Sequence, residues 1–171
     1  MEVILSCNLH KNHRYNLIKK VTYDVINILQ DAKIIISDNF PLEISHHYGI
    51  DCFFKYGCVT ISIINRAYCK KIIILFPQQE HPAHIHKIKD ETFHILQGDM
   101  FLTADKKSYS LNAGDLYTIE PGVLHSFGSK NGCIFEEIST THSANDSYYE
   151  DEVISRKEIA QRKTFVKYWK S

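Results

Sequence analysis

At 171 residues, 44% of them hydrophobic, the chain is long enough to bury a core without staples and reads as one structural domain. Twenty basic and twenty acidic residues leave no net charge, which argues against a general affinity for nucleic acid or an anionic membrane. Five cysteines (Cys7, Cys52, Cys58, Cys69, Cys133) are odd in number and lack C-x-x-C spacing, so they read as reduced, mostly buried thiols of a cytoplasmic protein. The start, Met1 to Cys7, is too short and acidic for a signal peptide, and no apolar run approaches a membrane span.

Residues 1–13 carry a short apolar run followed by polar residues. Leu17, Val21, Val25, Ile28, Leu29 and Ala32 then recur at helical spacing and predict an amphipathic helix of about five turns, laid against the outside of a barrel. Ile34-Ile35-Ile36 predicts a short strand, and Ser37 to Pro41 a turn. From Pro41 onward the pattern is β. Cys58 to Ile64 alternates as a half-buried strand does, and Lys71 to Phe76 is an apolar run suited to a strand covered on both faces. Short strands follow at Phe93–Leu96, Met100–Thr103, Ser108–Leu111, Leu116–Ile119 and Ile134–Ile138, separated by turn residues. Many short strands with such turns predict an all-β sandwich or jelly-roll barrel. Glu150 to Arg162 reads as a charged helix. The apolar Phe165, Val166, Tyr168 and Trp169 are expected to pack on the domain or on a second subunit. The predicted organisation is a helical segment over 1–40, a barrel over 41–142 and a helical extension over 143–171. Sheet edges and the aromatic C-terminus lead to the expectation of a homodimer.

The chemistry concentrates between His84 and His125. His84 and His86 share a strand face because side chains alternate. Glu91 opens the next extended piece, and His125 follows Pro121-Gly122. Three imidazoles and one carboxylate suit a divalent metal such as manganese, iron, nickel or zinc.

The spacing His84-x-His86-x4-Glu91-x6-Gly98 resembles the first cupin motif, and Gly114-Asp115 through Pro121-Gly122-x2-His125 resembles the second. The second departs at Glu120 and Ser129, neither of them a ligand position. The resemblance implies a double-stranded β-helix barrel holding a metal through His84, His86, Glu91 and His125. Ser45 to Gly49, Tyr68 to Lys71, Phe135 to His142 and Asn145 to Tyr149 further resemble the cupin domain appended to bacterial sialic-acid (nonulosonate) synthases. More distantly, the chain is similar to the manganese-dependent D-lyxose isomerases. That likeness places an active-site lysine at Lys89 and a catalytic glutamate at Glu137, and it leaves a further proton-transfer carboxylate without a match. It implies a sugar or sugar acid as substrate, handled by isomerisation or epimerisation. The alternative is a non-catalytic sugar-binding or regulatory module of surface-polysaccharide biosynthesis; an iron-dependent dioxygenase is permitted by the ligand set alone.

The residues leave several alternatives open. Lys89 is either a charge-stabilising group or a solvated lysine in Lys87-Ile88-Lys89-Asp90. Either Glu136 or Glu137 faces inward, and Glu137 is preferred. His94, three residues after Glu91, should face away from the site. His46, His47 and His142 can line a sugar pocket with Tyr48 or Tyr117, and His81 is expected in an approach loop with Pro82.

Overall fold

The structure is a computed structural model that describes the backbone of residues 2–170 and the side chains of residues 12–170. Expectations resting on side chains of residues 1–11, Cys7 among them, lie outside the described residues. Helix α1 spans Glu2–Asp31 and so begins well before the predicted start. It ends where Lys33 turns to φ 57°, with the Ile34 N–H reaching back to the Leu29 carbonyl at 2.9 Å. Such a left-handed residue closes a helix by satisfying its last carbonyls. The strand expected at Ile34–Ile36 does not form. Ile36 is drawn into the apolar cluster under the helix while Ile35 is 96% exposed, and no neighbouring strand offers the segment a ladder.

Among the described residues eleven strands follow: β1 (Leu42–His46), β2 (Gly57–Asn65), β3 (Tyr68–Leu75), β4 (Gln79–Ile85), β5 (Glu91–Ala104), β6 (Lys107–Asn112), β7 (Leu116–Ile119), β8 (His125–Ser129), β9 (Cys133–Thr140), β10 (Tyr148–Tyr149) and β11 (Lys163–Val166). A single turn, α2 (Phe53–Tyr56), links β1 to β2. All the pairings are antiparallel, in the order β10-β4-β8-β5-β9-β3-β2-β1-β11, with β6 and β7 also paired to β5. The sheet curls into a cupin jelly-roll half-barrel, as expected of an all-β chain.

The two strands expected at Phe93–Leu96 and Met100–Thr103 are one strand, β5. Its first half pairs with β7 and β9 and its second half with β6 and β8. Gly98 is the bend within it. A Cβ there would lie 2.0 Å from the Gly132 carbonyl oxygen at a φ of 84°, so only glycine lets the two backbones approach. Gly98 therefore curves the sheet rather than ending a strand.

Two apolar layers result. Val21, Val25 and Leu29 of α1 cover Leu42, Ile44, Val59, Ile61, Ile72, Ile74 and Ile134 on the outer face of β1, β2, β3 and β9. Inside the barrel, Ile73, Leu75, Phe93, Ile95, Met100, Leu102, Phe127 and Phe135 form a second core. β3 thus supplies Ile72 and Ile74 to one layer and Ile73 and Leu75 to the other, as a strand covered on both faces should.

The C-terminal helix is divided into two single turns, α3 (Glu152–Ser155) and α4 (Ile159–Arg162). Asp151 caps the first by accepting from the Val153 N–H at 2.7 Å. The Glu158 N–H donates to the Gln161 side chain at 3.0 Å and begins the second. Two competing start signals within eight positions break a helix that charge periodicity alone would have continued. Lys163–Val166 then adds to β1 as an edge strand. Trp169 is buried in the outer core, donating to the Phe40 carbonyl at 2.8 Å, while Phe165 and Tyr168 remain exposed. Among the described residues no helix is long and apolar enough to cross a membrane.

Candidate metal centre

His84 sits on β4 directly opposite His125 at the start of β8. His86 lies just past the end of β4, and Glu91 opens β5. All four are buried, and their ligating atoms lie within 4.8 Å of one another. Each histidine has its Nδ1 against a backbone carbonyl: His84 to Pro82 at 3.0 Å, His86 to Asp146 at 2.5 Å and His125 to Val123 at 3.0 Å. A carbonyl only accepts, so in each neutral ring Nδ1 carries the proton and Nε2 presents the lone pair. Burial, with the neighbouring His125 second, holds His84 well below the usual imidazole range, and burial with the nearby Lys89 brings His86 to about 4. These two rings are therefore neutral at pH 7.

The arrangement leaves two buried atoms without a hydrogen bond, His125 Nε2 and Glu91 Oε1, although they stand 3.0 Å apart. Two lone pairs facing each other in a dry site repel unless a cation lies among them. The second Glu91 oxygen, Oε2, is paired with Lys89. Three imidazoles oriented by carbonyls and one carboxylate fit a divalent metal, with the supporting hydrogen bonds already in place.

Lys89 is buried, so the solvated alternative does not apply. Its backbone N–H and those of Lys87 and Ile88 donate to the Asp146 carboxylate at 2.9, 3.0 and 3.1 Å. Burial would raise the Asp146 carboxyl, but these three donors outweigh it and hold it low. Asp146 thereby fixes the loop that carries Lys89, while its own carbonyl orients His86. The Lys89 ammonium reaches Glu137 Oε1 at 3.0 Å, and Lys71 reaches the same oxygen at 2.8 Å. Ser139 donates to it as well, at 3.3 Å. Burial pushes the Glu137 carboxyl upward, yet Lys71 and Lys89 hold it well below the carboxylate range. Glu137 thus faces inward as preferred. Glu136 faces outward to Lys70 at 2.7 Å and His94 at 3.3 Å, and His94 is directed away from the site.

His84, His86, Glu91, Lys89, Lys71 and Glu137 line a cavity of about 580 Å³ including its open mouth, together with Glu43, Ser45, Thr60, His142, Tyr149 and Lys163. His142 lies beside Lys71 at 3.2 Å. His46 bonds Thr164, Tyr48 bonds Asp151 and Tyr117 packs against Tyr109, and none of these three lines the cavity. His81 is not in a loop. It is a buried residue of β4 stacked on Phe127 at 4.5 Å. Its neighbour pairs are His81↔Phe127 and His84↔His125, three residues of β4 spanning two of β8. This bulge at Pro82-Ala83 turns His81 to the same side as His84 and His86, where unbroken alternation would have sent it outward.

Sequence reasoning missed Lys71, Glu43 and Lys163. Lys71 is in phase with inward Ile73 and Leu75, and Glu43 alternates with outward Leu42 and Ile44, so both were open to a period-two reading. Lys163 carried no such signal. It reaches the cavity because β11 returns to pair with β1, which puts its ammonium 2.7 Å from Glu43.

A protein-family model described as a cupin domain matches residues 71–132, the segment that holds all four clustered residues. The chain has the cupin jelly-roll fold, and the matched segment carries this cluster. Among curated proteins it is similar to a D-lyxose ketol-isomerase of Thermofilum sp. (strain ex4484_79), 26% identical over 170 residues, covering 82% of this chain and 94% of that protein. It is also similar to a D-lyxose/D-mannose isomerase of Thermosediminibacter oceani, 27% identical over 161 residues, covering 76% and 88%. Among solved structures, the L-ribose isomerase of Cellulomonas parahominis with L-psicose superposes with a TM-score of 0.68 at 13% identity, covering 84% of this chain and 94% of that one. That likeness establishes the shared fold.

Proposed function

We propose that this protein is a metal-dependent aldose–ketose isomerase acting on a small neutral sugar. The observation that carries the reading is the facing, unbonded pair His125 Nε2 and Glu91 Oε1, set beside a buried Lys89–Glu137–Lys71 ion-pair chain. The relatives named D-lyxose isomerases support the same chemistry. His84, His86, Glu91 and His125 would hold the divalent ion, manganese by the resemblance, which when bound polarises a sugar carbonyl and its adjacent hydroxyl.

The chain's own residues supply the rest. Isomerisation moves one proton from C2 to C1 and another from the C2 hydroxyl to the carbonyl oxygen, so a base must stand beside the carbons. Glu137 is that base. Its contacts with Lys71, Lys89 and Ser139 all fall on Oε1, leaving Oε2 outside them. Lys89 and Lys71 keep the carboxylate ionised, and Lys89 can share its charge with the enediolate oxygen as negative charge develops. Glu43 supplies a second carboxylate in the cavity wall, the role for which the sequence offered no match. Lys71, Lys89 and Lys163 are each paired to a glutamate. With those cations engaged, a neutral sugar is favoured over a sugar acid.

The test is solvent deuterium wash-in to D-lyxose, D-mannose and L-ribose. Glu137→Gln retains shape and metal and is expected to reduce exchange by about a hundredfold or more, the usual worth of a general base. The commitment of Glu137 to two lysines favours a second reading, a sugar-binding module in which the pair is purely structural. A sugar that binds without any deuterium entering it would establish the module and overturn the isomerase. Equal exchange by wild type and Glu137→Gln would move the base to Glu43.

A further inference from the structure

His47 and His81 repeat, a short distance away, the pattern seen in the metal-binding histidines. The Nδ1 of His47 faces the Tyr56 carbonyl at 3.2 Å, and that of His81 faces the Pro82 carbonyl at 3.1 Å. Both Nδ1 atoms are therefore protonated, and both Nε2 atoms carry lone pairs. Those two Nε2 atoms point at each other, 3.1 Å apart. No proton is available between them, since a neutral ring that donates from Nδ1 has nothing to give from Nε2. Tyr149 satisfies one by donating its hydroxyl to His47 Nε2 at 3.2 Å; the opposition between the rings remains. Both rings are buried, where a charged imidazolium is disfavoured, and burial, with Lys163 second, brings His47 to about 3. A proton is a poor remedy here.

We propose that His47, His81 and Tyr149 form a second, structural transition-metal site, distinct from the His84–His86–Glu91–His125 cluster. Two Zn–N bonds of about 2.1 Å at an angle near that of a tetrahedron or octahedron place their nitrogens roughly 3.0–3.4 Å apart, which brackets the observed separation. The ligand set of two imidazoles and a phenol suits zinc, copper, nickel or cobalt. His81 and Tyr149 also line the cavity, so water can complete the coordination. The Pro82 carbonyl orients both His81 and His84, placing one shared support between the two sites.

The location gives the site its purpose. His47 follows β1 near one end of the curled sheet, whereas His81 on β4 and Tyr149 on β10 belong to the other. Among the described residues the strands do not hydrogen-bond across this seam, and an ion held by all three residues fastens the half-barrel shut.

Zinc and cobalt titrations of the metal-stripped full-length chain test this independently of any reaction. Wild type should bind two ions per chain, His84→Ala/His86→Ala one, and His47→Gln/His81→Gln one. Zinc should still raise the melting temperature of the His84→Ala/His86→Ala variant, because an ion bound only by the folded state stabilises it. Saturation of wild type at one ion, or two ions in folded His47→Gln/His81→Gln, would overturn the proposal. Should either variant fail to fold, anomalous diffraction at the zinc edge from soaked wild-type crystals decides. A peak between His47 and His81 supports the site and its absence at saturating zinc removes it. Loss of this site would leave the isomerase reading intact.

Discussion

On β1, β2, β3 and β9, alternate residues belong to two different surfaces. Leu42, Ile44, Val59, Ile61, Ile72, Ile74 and Ile134 face outward under α1 and form a dry apolar layer. Their neighbours Glu43, Ser45, Thr60, Lys71, Glu137 and Ser139 face inward and are also buried or nearly so. The outer layer gains free energy from every side chain removed from water. On the inner surface each charge has been taken out of water, and it is tolerable only because a partner waits for it. The same backbone therefore carries a face chosen for stability and a face whose stability is conditional on complete pairing. Buried ion pairs are costly to assemble, and their presence in a chain with an ample apolar core points to use.

The sharpest way to break this contrast is to remove one inner partner. Glu137→Leu leaves Lys71 buried without its carboxylate and is expected to cost about 3–5 kcal/mol in denaturant unfolding. Adding Lys71→Met should recover most of that loss. A double variant as unstable as the single one would show that the pair is not what holds the inner face. On the outer face, Ile74→Ala should cost about 3 kcal/mol through lost burial and an incompletely collapsed cavity, while metal content per folded chain stays unchanged. Metal loss in that variant would mean that the two faces are mechanically linked.

A smaller effect is expected at the joint between them. Asp146→Asn keeps one acceptor oxygen for three N–H donors and should cost about 1–2 kcal/mol. Its pH signature follows from the lowered Asp146 carboxyl. The stabilisation is complete above the unfolded carboxylate value of about 4 and is lost as pH falls through the lower folded value. Wild type and variant should therefore converge in stability on acidification, and parallel curves between pH 6 and 2 would exclude the carboxylate as the anchor.

Much of this was legible in the chain. Motif spacing marked His84, His86, Glu91 and His125, and strand alternation put Glu137 inward and His94 outward. Alternation could also have flagged Lys71 and Glu43, which stand in phase with inward residues, but charged residues near strand ends are ordinarily solvated and gave no local sign of their partners. His81 was expected in a loop because Pro82 follows it, whereas β4 runs through both and a bulge at Pro82-Ala83 turns His81 inward, and a bulge depends on the partner strand. β5 was split because Gly98 bends a strand and ends a strand with the same residue type.

Local periodicity and ligand spacing, then, determined the all-β class, the covering helix and the identity of the clustered histidines and glutamate, because those signals are written within a few residues of one another. What only the tertiary structure decided are the relations between distant segments. Lys163 enters the cavity through the β11–β1 pairing, Lys71 meets Glu137 across β3 and β9, and Asp146 pins the Lys89 loop from 57 residues away. His47 faces His81 over the seam of the sheet. Each of these depends on the curvature and register of a closed surface, and no window along the chain contains both halves of the contact.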